Sequence, residues 1–348
     1  MNLDSILSED TGASQQINSG VATPALLSTD TYAQMQSHCN VRSYSTTQTF
    51  HACPREYELY KLKSATRQSD RENNVTFAFG HSVGAGVATY DATQDLDKAI
   101  WSAFLAWDVD LLDEEIKMRA GREYKTGKSF AEAVFALELY QEFYHTETDL
   151  SDYDVIKNEA TVAIDFEDGH FYTGHIDTLL CNKFNSRYRI KENKTTSFQS
   201  IDPALYGNSD QALSYSVVID SLGGQDYSVL YTIYSTTSKR WIQFDYVKTA
   251  LHKSEWLQDQ LLINQSIDNY SQLNFFPKRG SSCIRFMRRC REYDTCGLDT
   301  ATRFGTTFAD LPRISSLQGV DTIEKVDYSF RLSELISTQQ MKVSNELK

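Results

Sequence analysis

The stretch from His170 to Tyr215 most constrains what this chain can fold into. Within it, HFYTGHIDTLLC and RYRIKEN are rich in β-branched and aromatic residues, and Asn182-Lys183-Phe184-Asn185-Ser186 turns the chain between them. Two such runs about a short polar turn predict an antiparallel pair. Side chains alternate along a strand, so Glu192 and Lys194 share a face while Asn193 points away. The short hairpin then lets Asp177 on the first strand converge with Glu192 on the second. Residues 204–221 read as a helix, where Gln211 and Tyr215 at i, i+4 lie on one face. Two hard oxygen donors suit Mg²⁺ or Mn²⁺. Such an ion polarises a phosphoryl oxygen and helps produce a hydroxide nucleophile, and a nearby lysine stabilises negative charge as it develops. The pattern is that of metal-dependent phosphodiester cleavage.

The flanking segments supply a frame. VIKNEATVAIDF reads as the preceding strand, and Asp168-Gly169 is a hairpin turn signal after it. Glu159 on that strand is either an extra acidic group at the site or an exposed strand charge. His175 shares a face with Asp177 and is either a neighbour of the site or an ordinary packed histidine. YSVLYTIYST reads as a buried strand, WIQFDYV as one more, and a helix follows around 252–269. Residues 43–148 are mainly helical, with helix patterns in SYSTTQTFHACPREYELYKLKS, FGHSVGAGVATY, DLDKAIWSAFLAWDVDLL and SFAEAVFALELYQEFYH. No internal repeat and no Pro- or Gly-rich linker divides the chain. The expectation is one α/β domain over 43–300. Its parts are helical (43–148), a catalytic core (149–250), and a C-terminal helix with a Cys segment (251–300). A mobile arm (1–42) precedes it, and a tail (301–348), packed on the domain or extended, follows.

Composition narrows the classes. Apolar residues make up 41% of 348, enough for a sizeable core, and 20 Tyr and 18 Phe argue against a mainly disordered chain. A net charge of −13 disfavours a protein that coats nucleic acid by bulk charge, though not an enzyme with a local basic groove. No apolar run approaches a membrane span. MNLDSILSED lacks the basic and apolar regions of a secretory signal, so the expected place is the cytoplasm. Six cysteines in such a setting need no disulfides, and the three near the C-terminus, Cys283, Cys290 and Cys296, lean towards metal ligation.

A lone Glu-x-Lys is a weak signal, as Glu115-Ile116-Lys117 and Glu123-Tyr124-Lys125 illustrate. The ordered set is far more specific: Gly174-His175-Ile176-Asp177, a hairpin, Glu192-Asn193-Lys194-Thr195-Thr196, then Gln211…Tyr215. It resembles the PD-(D/E)XK nuclease superfamily, in its RecB-like and CRISPR-associated exonuclease branch. The resemblance implies a restriction-endonuclease-like αβββαβ core with a helical N-terminal insertion and a C-terminal Cys segment. It implies that Asp177 and Glu192 are metal ligands and that Lys194 is catalytic; Glu159, read as an extra acidic group at the site, is the candidate for a further metal ligand. Gln211 and Tyr215 would position the nucleic-acid strand. Ser43, Ser45, Phe50, Cys53, Pro54 and Tyr57 fit the branch's opening S-x-S-x-x-x-x-F-x-x-C-P-x-x-Y. The F-G-x-x-x-H that follows is altered: Phe79-Gly80 is present, but Gly84 holds the His position and His81 precedes it, so His81 would have to serve from a shifted register.

The same resemblance implies a four-iron–four-sulfur (4Fe-4S) cluster on Cys53, Cys283, Cys290 and Cys296, with zinc or buried free thiols as alternatives. The Cys290–Cys296 gap is the usual one, but Met287 stands where the branch's preceding cysteine commonly lies. Cys39 and Cys181 are expected to be unliganded. Around the thiols, FPKRGSSCIRFMRRCR carries Arg285, Arg288 and Arg289 without an acid, a local basic run that suits phosphate contacts or a solvated face. The function implied is a DNA exonuclease on single strands or duplex ends, of the kind used in recombination, repair or bacteriophage DNA processing. A separate helicase or recombinase would be its partner. The alternative is a catalytically weak DNA-binding module that keeps the fold.

Overall fold

The computed structural model describes residues 40–62, 75–107, 128–207, 209–221, 228–273, 275–285, 288–293, 296 and 327–346. Cys39 and most of the expected N-terminal arm lie outside them. β1 (Val41–Ser43) leads into α1 (Tyr44–Ala52) and α2 (Pro54–Tyr57). Three longer helices follow: α3 (Val75–Thr93), α4 (Leu96–Leu105) and α5 (Phe130–Thr146). Their starts are set by capping side chains. Ser43 accepts from the Thr46 N–H, Asp95 from Lys98 and Ser129 from Glu132, each satisfying a donor that the first helical turn leaves unpaired.

The period then shortens to two. β2 (Tyr153–Asp165), β3 (Phe171–Asn182) and β4 (Tyr188–Thr196) form an antiparallel meander. Gly169 takes φ +89° in the first turn, a conformation that glycine adopts freely. α6 (Ala204–Gly207) and α7 (Asp210–Ser221) lead across to β5 (Ser228–Ser235), which lies parallel to β4. β6 (Arg240–Tyr246) pairs antiparallel on the outside, and α8 (Ala250–Gln272) runs back over the sheet.

The αβββαβ order is therefore present in a mixed sheet with helices on both faces. α3, α4 and α5 cover one face through Phe79, Val83, Val87, Leu137 and Tyr140 against Leu180, Leu230, Tyr234 and Trp241. α7 and α8 cover the other, where Val217, Val218, Trp256 and Leu257 meet Ile176, Leu179, Ile190, Val229 and Ile233.

Two short strands go beyond the expected core. β9 (Tyr328–Arg331) extends the sheet to the order β6-β5-β4-β3-β2-β9, lying parallel to β2, and α9 (Leu332–Glu346) packs Leu335 into the core. The last part of the expected tail is thus integrated into the domain. β1 lies parallel to β3 over Phe171–Thr173, on the edge that β4 occupies at Thr178–Cys181. Two partners share one edge of β3, and Gly174–Asp177 falls between them. That parting of strands positions the site. No helix among the described residues is long and apolar enough to cross a membrane.

Candidate active site

Where β3 leaves β4, the ladder is replaced by a side chain. The last paired residues are Thr178 and Lys191, and the Asn193 N–H donates to Asp177 Oδ2 at 2.7 Å. Asp177 and Glu192 come next in register beyond that pair, so their carboxylates face the same side. On the other edge of β3, Asn158↔Thr178 and Ala160↔Ile176 bracket Glu159 opposite Asp177. Glu159, Asp177 and Glu192 therefore lie in one row across three strands. Glu159 is held at φ +51°, a left-handed conformation that costs a non-glycine residue about 1 kcal/mol or more and clusters at functional sites.

A hydrogen-bond network fixes the row. Glu192 is buried at 1% exposure. Its Oε1 accepts from Lys194 Nζ and, at 2.7 Å, from Gln211 Nε2. Lys194 Nζ also donates to Gln211 Oε1 at 3.1 Å. Gln211 lies 3.0 Å from the Tyr215 hydroxyl, which donates to the His175 carbonyl. Tyr215 is itself buried, and its hydroxyl ties Gln211 to the β3 backbone. Gly174 explains how it fits: a Cβ there would come within 2.9 Å of the Tyr215 ring.

Charge is crowded here. Burial, and then the negative charge of Asp177, pushes the Glu192 carboxyl up to about 8. Glu159, exposed on its outer side, is lifted to about 7 by loss of water around its carboxyl and by Asp177. Asp177 is raised by burial, against the pull of Lys194. Burial alone would lower the Lys194 pKa, but Glu192 and Asp177 together raise it, and the lysine stays protonated. Glu192 Oε2 is buried with no hydrogen-bond partner. An orphaned buried carboxylate oxygen in an acidic row is a place that a hard cation fits. Among the described residues no three His, Cys, Asp or Glu side chains close on one point.

His81 is exposed on α3, outside this hydrogen-bonded network. Its neighbour Gly80 faces Thr195 at the end of β4, and the space beside Gly84 is open. His175 is exposed, with Nδ1 3.1 Å from Thr161 Oγ1.

Just past the C-terminal end of α1, Cys53 joins Cys283, Cys290 and Cys296 in lining one cavity of about 440 Å³. The irregular spacing is resolved by a hairpin. β7 (Ile284–Arg285) pairs with β8 (Arg288–Arg289), so Cys283 and Cys290 flank it, and the Cys290 N–H donates to the Cys283 carbonyl at 2.8 Å. Cys53 is brought in by the start of α2, where its Sγ accepts from the Arg279 N–H at 3.4 Å. Phe50 and Tyr57, on either side of it in sequence, pack with Ile263, Ile267 and Phe276 in a small apolar cluster. Arg285 is paired with Glu56 at 2.7 Å, and Arg289 lies over the Tyr293 ring. The Arg288 side chain lies outside the described residues. Arg285 thus ties the Cys segment to α2. Cys181 is a free, half-buried thiol on β3.

Residues 42–297 match the family model of the PD-(D/E)XK nuclease superfamily. No curated protein matches the chain. Among solved structures, one from Eubacterium rectale described as a "Putative exonuclease" is 14% identical, covering 74% of this chain and 91% of its own, with a TM-score of 0.44. Another, SSO0001, is 13% identical, covering 44% and 69%, with a TM-score of 0.25. Likenesses this distant say nothing about this chain's chemistry, which rests on its own residues.

Proposed function

Because the chain belongs to the PD-(D/E)XK nuclease superfamily, we propose that Asp177, Glu192 and Lys194 form the centre of a metal-dependent deoxyribonuclease, an exonuclease on single strands or duplex ends. The observation that carries this reading is the row of Glu159, Asp177 and Glu192, with Glu192 Oε2 left unpartnered beside a protonated lysine. Asp177 and Glu192 would hold Mg²⁺ or Mn²⁺, with Glu159 supplying further negative charge from the rim. When bound, the ion polarises the phosphoryl oxygen and lowers the pKa of a bound water. Gln211, anchored by Tyr215, holds the Glu192 rotamer and the Lys194 ammonium together. That ammonium stands ready to donate to a phosphate oxygen as charge builds in the transition state.

The test is digestion of end-labelled single- and double-stranded DNA with Mg²⁺ or Mn²⁺. Wild type is expected to shorten strands progressively from an end. Lys194→Ala is expected to lose about 10²–10³-fold in kcat, the range for one stabilising donor, while still binding DNA. Intact DNA across both metals with wild type would overturn the reading.

The four cysteines support a second bound group. They line one cavity of about 440 Å³, and four thiolates are the ligand set that an iron–sulfur cluster takes. A 4Fe-4S cluster there would cross-link α2 to the C-terminal segment. Iron and acid-labile sulfide in anaerobically purified protein, lost in Cys290→Ser, is the expected result. Protein without iron would remove the proposal.

A further inference from the structure

The acidic row does not stop at Glu192. In the parallel pairing of β4 with β5, Glu192 stands beside Tyr231, and in the next pairing Tyr231 stands beside Phe244. Side chains of laterally paired residues share a face. One row therefore crosses five strands, acidic on β2, β3 and β4 and aromatic on β5 and β6. Tyr206 of α6 lies over the aromatic half. Its ring is 5.0 Å from that of Tyr231, and it is stacked on Phe244 at 6.4 Å with 23° between planes.

The ledge is firmly built. The Tyr246 hydroxyl donates to the Pro203 carbonyl, and Lys248 Nζ donates to the Gly207 carbonyl. Both bonds seat α6 on the edge of the sheet. Tyr231 is buried, whereas Tyr206, Phe244 and Tyr246 are half-buried. Apolar surface is thus open to solvent next to the proposed catalytic lysine, whose charge reaches Tyr206.

We propose that Tyr206, Phe244 and Tyr246 are a stacking platform for the unpaired bases of the DNA strand whose phosphate is cut at Asp177 and Glu192. The inference rests on the nuclease reading and deepens it by naming the substrate form. Aromatic faces bind single strands because every base has a π-face, whereas a base inside a duplex has its faces already stacked. A continuous row from acids to rings sets a backbone over one half and its bases over the other.

The test measures anisotropy of labelled single-stranded oligonucleotides in Ca²⁺, using an intact strand and one of equal length built from abasic nucleotides. Wild type is expected to bind the abasic strand at least about tenfold more weakly, since one stacked base accounts for that much. Tyr206→Leu, which keeps an apolar cover on Tyr231, is expected to bind the intact strand about tenfold more weakly and to discriminate less against the abasic one. Tyr206→Trp is expected to restore both. Phe244→Leu serves as a second variant, with thermal melts confirming that each is folded. A purely structural role would lower affinity for both strands alike, and that result would overturn the platform. Wild type that digests DNA yet binds intact and abasic strands equally would overturn the platform and leave the nuclease reading standing. Wild type that neither binds nor digests DNA would remove both.

Discussion

Glu192 shows what a single position is asked to carry. Its carboxylate is buried, half satisfied by Lys194 and Gln211, and lifted to about 8. Glu159, lifted to about 7, and Asp177 are displaced the same way. A carboxyl whose folded pKa is raised stabilises the fold fully below its ordinary value and loses that contribution as pH rises through the folded pKa. In metal-free protein this site's contribution is therefore expected to fall from about pH 4.5 to about pH 8. A cation favours the ionised acids, so Mn²⁺ is expected to raise the melting temperature more at pH 8 than at pH 6. Melting curves with and without Mn²⁺ at both values check this, and an equal shift would contradict it. Gly174 tests the support beneath. Gly174→Ala pushes on the Tyr215 ring, with an expected cost of about 1–3 kcal/mol in urea unfolding and a fall in cleavage rate as Gln211 shifts.

Among elements, the paired strands of the site were legible because alternation and a polar turn speak for themselves over nine residues or more. β1 and β9 were not, since three or four residues hold too little periodicity to mark a strand. Their pairing is decided by the edge of β3 or β2 that receives them. The aromatic half of the row was hidden for a related reason: which residue of β5 stands beside Glu192 depends on a parallel register that no local turn sets. The irregular cysteine spacing looked like a defect in the sequence and became intelligible through the β7–β8 hairpin. In α3 the glycines separate by what surrounds them. A Cβ at Gly84 meets nothing within 4 Å, whereas one at Gly86 comes 2.6 Å from Leu137 and 3.2 Å from the Ala99 carbonyl. Gly84→Ala is expected to stabilise by about 0.5–1 kcal/mol, and Gly86→Ala to destabilise by about 1–3 kcal/mol. Denaturant midpoints of the two variants check the contrast.

At the scale of the whole molecule, the C-terminal β9–α9 unit lies beyond the family match yet is bound into the core. Asp220 of α7, with a fully buried side chain, accepts from Lys253 of α8 and from Gln339 and Lys342 of α9. Removing the acid takes away the buried carboxylate to which Lys253, Gln339 and Lys342 all donate. Asp220→Ala is expected to cost roughly 3–5 kcal/mol, and Lys342→Ala, with a partly exposed amine, under about 1 kcal/mol. Beside this unit, Asp327 accepts from the Thr161 N–H at 2.9 Å and pairs with Lys157 at 3.2 Å. Those contacts bracket Glu159, so the end of the chain helps shape the acidic row. In the proposed mechanism the acids of that row would hold one divalent cation. Calorimetric titration of Mn²⁺ at pH 7, in two buffers of different ionisation heat, measures this directly. One site releasing protons as it fills, and abolished by Glu192→Gln, is the predicted result. Absence of binding, or binding indifferent to Glu192→Gln, would contradict it.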